Sequence, residues 1–394
     1  MSNHTVAQPA PSMSKAAAIP NHRASVGDEE IAAVSEAIRA LALTGGGEIT
    51  RRVEKKLAAL CGVPHALLST SCTHAMEMAL MCLDVGPGDE VICPSFTFSS
   101  TANAALVRGA TPVFADIDPT TLNIDPASVR AMITPRTRVI VPVHYAGVAC
   151  DMDAIRALAA PTGIDIVEDA AQAIGAWYRD EPLGTCGRIG CFSFHGTKNV
   201  TCGEGGAIVT RETPLADRAE IIREKGTNRR AFAQGTVDKY TWVDMGSSYV
   251  PSDILAAMLG VQLDKMPRLN EARGVIHHAY MERLAPLAER GLLTLPTIPS
   301  YARSNHHLFY VLLSSEAERN RVMGGLRDRG IGAVFHYLPL HTSPYGKQFA
   351  QGRALPVTES VAGRLLRLPL FSDMTADEID RVVEALTDLL NKRA

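Results

Sequence analysis

Residues 191–206 read CFSFHGTKNVTCGEGG. Cys191 to Phe194 form a short apolar run of the kind that becomes a buried strand. A polar turn follows, with one lysine, Lys198. Next comes Gly203-Glu204-Gly205-Gly206, where absent side chains let another stretch of backbone approach closely. A second apolar run, AIVT, begins at once at Ala207. A lysine in this setting is either a solvated surface charge or a functional amine, and the surrounding chain has to decide between them.

Upstream, strand-like runs recur: HALLST (65–70), EVICP (90–94), TPVFADI (111–117), RVIVPVHY (138–145) and DIVED (165–169). Helix-like pieces lie between them: HAMEMALMCL, STANAALVRG, PASVRAMI and MDAIRALAA. Strands alternating with helices predict an α/β fold with a mainly parallel sheet covered on both faces. EEIAAVSEAIRAL and TRRVEKKLAALCG add two helices before the first strand, and LADRAEIIREKG another after AIVT. A polar stretch, GTNRRAFAQGTVDKYTWVD (226–244), is too long for a plain connection, and its aromatic residues favour a functional loop. From Ser252 a long helical section leads into a different alternation. There HLFYVLLS (307–314) and AVFHYL read as strands and EAERNRVMGGLRDRG as a helix. A last helix opens on the capping-box pattern Thr375-Ala376-Asp377-Glu378. The expected organisation is a flexible tail over 1–24, a large α/β domain over 25–262 and a small α+β domain over 263–394.

Bulk properties narrow the function. At roughly 100–200 residues per domain, 394 residues suit two or three domains with a sizeable core. A net charge of −3 without a long basic run argues against nucleic acid as the main partner. No apolar stretch approaches the ~18 residues of a membrane span, and the N-terminus lacks the apolar core of a signal peptide. The expected location is therefore cytoplasmic. The eight cysteines include no CxxC pair and most sit in apolar runs, where cysteine reads as a small buried hydrophobe. No histidine cluster has the spacing of a metal site.

Two phosphate-binding motifs fail for Lys198. A P-loop places lysine directly after its second glycine, whereas Thr197 separates Gly196 from Lys198. A dinucleotide fold requires GxGxxG between strand and helix, and none occurs. The remaining chemistry is a Schiff-base lysine, which forms an imine with a carbonyl once its amine is neutral. A pyridoxal phosphate site demands three more groups: a carboxylate for the ring nitrogen, donors for the phosphate and a face to sandwich the ring. Asp169 ends DIVED, Ser71-Cys72-Thr73 precedes a helix, and Phe98 follows EVICP. Each has an ordinary alternative as helix cap, helix start or core aromatic, yet all sit at the carboxyl ends of strands, where open α/β sheets build their sites.

VEDAAQ (167–172), SFHGTK (193–198) and GEGGA (203–207), in that order, resemble the sugar-nucleotide aminotransferases of the DegT/DnrJ/EryC1/StrS family. The resemblance runs from about residue 25 to the C-terminus. It implies the aspartate aminotransferase-like fold type I, pyridoxal 5'-phosphate and a homodimer with interfacial sites. By the same resemblance Lys198 carries the cofactor covalently and shuttles a proton, and Asp169 pairs with the ring nitrogen. Gln172 contacts the ring hydroxyl and Phe98 stacks on the ring. Cys72, Thr73 and Ser193 hold the phosphate. PSFTFSSTANA, VPVHYAGVACDMD, VDKYTWVDMGSSY and FHYLPLH are similar to a subgroup that moves an amino group from L-glutamate, leaving 2-oxoglutarate, to C4 of a dTDP-4-keto-6-deoxyglucose. Many members have glycine at the place of Cys72. Many also have Asn-Tyr-Arg where this chain reads Ser248-Tyr249-Val250, so Ser248 is expected to stand in for an asparagine that reaches the neighbouring subunit's phosphate. Asn228, Arg229 and Lys239 are the expected contacts from the long loop. His307, His336, Tyr337 and His341 are the expected contacts from the C-terminal domain. Rival expectations are an aminotransferase acting at C3 or on a GDP-sugar, a dehydratase, and a cofactor-binding regulator without turnover. The dehydratases put histidine at the position of Lys198.

Overall fold

The computed structural model describes residues 17–392. Its centre is a seven-stranded sheet in the order His65–Ser69, Gly206–Thr210, Ile189–Ser193, Asp165–Asp169, Thr137–Ile140, Glu90–Pro94 and Thr111–Ala115. Only Gly206–Thr210 runs antiparallel to its neighbours. The others are parallel, as the alternation predicted. Side chains along each strand face opposite sides of the sheet, and here they feed two separate cores. Leu68, Ile92, Ile166 and Val209 enter one, whereas Leu67, Val91, Val167 and Ile208 enter the other. In RVIVPVHY the regular strand ends at Ile140, because Pro142 has no N–H to give; Val141 N–H still reaches the Ile92 carbonyl at 2.7 Å and Val143 bridges Asp169.

The helix Asp253–Glu289 joins the two parts of the chain. Ala256, Leu259, Leu263 and Met266 pack into the core of the large sheet. Ile276, Tyr280, Leu284 and Leu287 pack into the core of the C-terminal part. The expected boundary at 262/263 therefore falls inside one continuous helix. In the C-terminal part Phe309–Leu312 pairs antiparallel with Leu365–Leu368, a strand that the pattern reading passed over. AVFHYL is not a strand. Val334 alone exchanges backbone bonds with Arg367, at 3.1 and 2.8 Å, before the chain turns away toward Pro339. The helix Ala376–Asn391 carries the predicted capping box.

The expected tail needs correction where it is described. Ile19 is buried in the C-terminal core and bridges Ile331, because its apolar side chain completes that core. Residues 1–16 of the expected tail lie outside the described residues.

Two buried clusters brace the site. Arg223 reaches Glu54 at 2.5 Å, Glu220 at 2.7 Å and the Leu68 carbonyl at 3.1 Å, tying two helices to the edge strand. Removing one member of such a buried pair strands the other charge. Arg223→Met is therefore expected to lower stability by about 3–5 kcal/mol, measured by denaturant unfolding. His277, buried against Phe309 and His306, has its pKa pulled down to about 3 by burial and by its histidine neighbours. Below the ordinary value of 6.5 only the unfolded chain takes up this proton, so stability falls with pH from there. By pH 5 the loss from His277 is ~2 kcal/mol. His277→Phe should flatten that acid limb in thermal melts at pH 7 and pH 5.

Candidate active site

Glu168 and Asp169 are consecutive on one strand and so point to opposite faces. Glu168 faces inward and fixes structure. It bonds His144 at 2.8 Å and accepts the backbone N–H groups of Gly184 and Gly187 at 2.8 and 2.6 Å. Asp169, at the strand's carboxyl end, faces a cavity of about 410 Å³. Its carboxylate accepts the Thr101 hydroxyl at 2.8 Å and the Ala171 N–H at 3.1 Å. Burial raises its pKa, against those two donors and Lys198.

Lys198 enters the same cavity from the turn after Ile189–Ser193. Burial lowers the pKa of its amine, and the charge of Arg367 adds to that, while Cys72 and Asp169 pull the other way. A lowered pKa leaves more neutral amine near pH 7, the form that attacks a carbonyl.

A third wall is the start of helix Cys72–Cys82, where the first backbone N–H groups have no helical acceptor. Ser71 caps this helix through the His74 N–H at 3.1 Å, and the Thr73 hydroxyl bonds Ser100 at 2.7 Å. The glycine-rich segment explains itself here. A Cβ on Gly206 would lie 2.5 Å from the Cys72 nitrogen and 2.3 Å from the Ser71 carbonyl carbon. Only glycine lets strand and helix start meet in this cradle. With Ser193 beside it, the cradle suits a phosphate.

Gln172 is fixed at both ends. Its oxygen accepts the Ala146 N–H at 2.7 Å and its amide nitrogen donates to the Tyr337 hydroxyl at 2.8 Å. Ala146 takes a left-handed conformation, φ 58°, to present that N–H. Phe98 lines the cavity with 61% of its surface accessible, so no apolar core claims it.

The cavity thus brings together Cys72, Thr73, Phe98, Asp169, Gln172, Ser193, Lys198, His307 and Tyr337. His307 is held through Nδ1 by Asn199 at 2.9 Å. His341 does not line the cavity. Its ring nitrogens meet Ser95 at 2.7 Å and Glu359 at 3.0 Å, which makes it a buried tie between the two parts of the chain. Ser248 is exposed and outside this cavity. Asn228, Arg229 and Lys239 are also outside it. Asn228 closes its own loop onto Lys239 and Thr241, and Arg229 lies 3.5 Å from Glu224. Pattern reading missed Asn21, His22, Ser100, Thr101 and Arg367, which all line the cavity. The one legible signal among them is Arg367, a single charge in the apolar run LLRLPL.

The model of the DegT/DnrJ/EryC1/StrS aminotransferase family matches residues 24–387. The chain is similar to the aminotransferase TlmJ from Streptoalloteichus hindustanus, at 30% identity over 95% of this chain and 99% of that one, with a TM-score of 0.88. It is similar to S. venezuelae DesV at 34% identity, covering 93% and 95%, with a TM-score of 0.85. Spr1654 from Streptococcus pneumoniae, whose structures include a PLP-form, matches at 28% identity over 95% and 99%, with a TM-score of 0.87. The amine, the buried carboxylate and the anion cradle meeting in one cavity fit that cofactor. The fold is type I of the pyridoxal phosphate enzymes, and the chain is a sugar aminotransferase that belongs to the DegT/DnrJ/EryC1/StrS family.

Proposed function

We propose that this aminotransferase takes the amino group of L-glutamate, releasing 2-oxoglutarate, and delivers it to C4 of dTDP-4-keto-6-deoxy-D-glucose. The product would be dTDP-4-amino-4,6-dideoxy-D-galactose, which makes the protein a dTDP-4-amino-4,6-dideoxygalactose transaminase feeding polysaccharide synthesis. The observation that carries the chemistry is Lys198 facing the cavity that also holds Asp169 and Gln172. The choice of sugar rests on the similarity of PSFTFSSTANA, VDKYTWVDMGSSY and FHYLPLH to that subgroup.

Bound pyridoxal phosphate supplies a carbonyl for imine exchange and an electron sink for carbanion charge. Asp169, held by Thr101 and the Ala171 N–H, would keep the proton on the ring nitrogen. Gln172, braced by Ala146 and Tyr337, would meet the ring hydroxyl. The Cys72 and Thr73 N–H groups, with Ser193, would hold the phosphate. The Lys198 Nζ takes a proton from the donor's α-carbon and returns one to sugar C4 in the second half-reaction.

The exposed Phe232, Tyr240 and Trp242, in the loop with Arg229 and Lys239, suit a homodimer whose neighbouring subunit adds that loop and Ser248 to the site. A cytoplasmic location fits the described residues, among which no helix is long and apolar enough to cross a membrane. A C3 or GDP-sugar aminotransferase is the competing reading.

Glutamate alone should convert the pyridoxal form to the pyridoxamine form in the absorbance spectrum, and Lys198→Ala should slow this roughly 10²–10⁴-fold. No conversion by the native protein, or an unslowed variant, rejects the mechanism. Asp169→Asn should weaken cofactor retention about 10²–10³-fold, read by dialysis and absorbance, because a buried charge pair loses one member. Among 3-keto and 4-keto nucleotide sugars, product NMR should show amination at C4 of the dTDP-sugar. Equal turnover of GDP-sugars rejects the substrate assignment.

A further inference from the structure

Lys198 is carried by a turn that packing does not hold. The chain is buried at Phe194 and again at Asn199, but between them His195 and Thr197 are exposed. Gly196 has no side chain to bury and leaves the backbone free to move. Hydrogen bonds must therefore fix the turn. Two come from nearby backbone, the Gly196 N–H to the Gly203 carbonyl at 2.8 Å and the Lys198 N–H to the His195 carbonyl at 2.9 Å. A third comes from the other end of the sequence, where His22 Nε2 meets the Gly196 carbonyl at 2.7 Å. Among the described residues no other group donates to that carbonyl. A carbonyl only accepts, so Nε2 carries the proton. Burial holds the pKa of His22 below its ordinary value, although the Gly196 bond pulls it up. At pH 7 the ring is therefore neutral, with that proton in place.

The backbone on which His22 stands belongs to the C-terminal part. The Ile19 N–H bonds the Gly330 carbonyl at 2.8 Å, and the Gly332 N–H returns to the Ile19 carbonyl at 2.8 Å. The Leu370 N–H reaches the Asn21 carbonyl at 3.2 Å. A Cβ on Gly332 would come within 2.7 Å of the Asn21 nitrogen, so the strap Ile19–His22 lies flush on its support. Arg23 continues it, 4.3 Å over the Phe371 ring and 3.1 Å from Asp373. Ile19 is sunk in the core there, whereas His22 bonds across to the large domain.

We propose that His22 is a positioning residue for the reaction: its bond to the Gly196 carbonyl ties the turn carrying Lys198 to the C-terminal part and holds the amine in line for proton transfer. This rests on the reading above that Lys198 moves the proton. A reacting group displaced by about 1 Å loses up to about 10²-fold in rate. One hydrogen bond on an exposed turn therefore matters far more to the rate than to the fold.

His22→Phe keeps a ring and removes the donor, whereas His22→Gln keeps a donor. In the glutamate half-reaction of the holoenzyme, read by absorbance, His22→Phe should be about tenfold to a hundredfold slower. Its glutamate requirement should stay within about threefold of native, with cofactor content unchanged. His22→Gln should recover most of the lost rate. Hydrogen exchange of the 194–199 segment should quicken about threefold to tenfold in His22→Phe, as expected for one lost hydrogen bond, and not in His22→Gln. On a Lys198→Ala background His22→Phe should slow the half-reaction no further, because a residue acting through the amine has nothing left to position. A native rate or unchanged exchange in His22→Phe overturns the proposal. So do a His22→Gln as slow as His22→Phe and further slowing on the Lys198→Ala background. An unslowed Lys198→Ala removes the Lys198 reading and the tether with it. A slowed Lys198→Ala beside an unslowed His22→Phe removes the tether alone.

Discussion

A carboxylate buried at the end of a parallel strand is the constraint around which this molecule is arranged. Asp169 leaves water at a cost that the Thr101 hydroxyl and one backbone N–H meet only in part. Its environment makes sense when a cation completes it, and a protonated pyridine nitrogen is such a cation. The sheet supplies the position, and Gly206, at the head of the antiparallel strand, admits the helix start at Cys72 that forms another wall. Glu168, one residue earlier and on the other face, anchors the strand through His144 and two loop amides. Adjacent residues of one strand thus face different surroundings, one the scaffold and the other the cavity.

The large domain was legible because its signals are local. Strand and helix periodicities set every strand of the main sheet, and VEDAAQ, SFHGTK and GEGGA mark three of its carboxyl-end features. The glycine-rich segment hinted at close approach, but only the fold shows that Gly206 admits the start of the helix at Cys72. Residues whose roles depend on distant pairing were out of reach. Arg367 looks like a defect in an apolar strand until the register places it opposite the face of Leu366 and Leu368. His341 reads like a ligand in FHYLPLH, yet its two ring nitrogens are spent on Ser95 and Glu359. Asn21 and His22 lie in a stretch whose composition resembles a linker, and tertiary packing of one isoleucine overrides that composition.

The family assignment and the geometry support each other from different directions. Whole-chain similarity fixes the fold, the cofactor and sugar amination. The cavity gathers serine, threonine and backbone donors around one lysine and one aspartate, a set that fits those demands. The long loop over 226–244 contributes nothing to this chain's own cavity, and its aromatics Phe232, Tyr240 and Trp242 are exposed.

The strap at Ile19–His22 also changes what counts as the catalytic unit. The hydrophobic cores on both faces of the large sheet and in the C-terminal part would stay almost intact in composition if the polypeptide were started at Asp28, since only Ile19 would be missing from them. Such a shortened protein would keep those cores, yet it would be missing the side chains of Asn21 and His22 that close one flank of the reaction chamber. Solubility would then be a misleading guide to competence, because integrity of the cores and completeness of the chamber are set by different parts of the sequence.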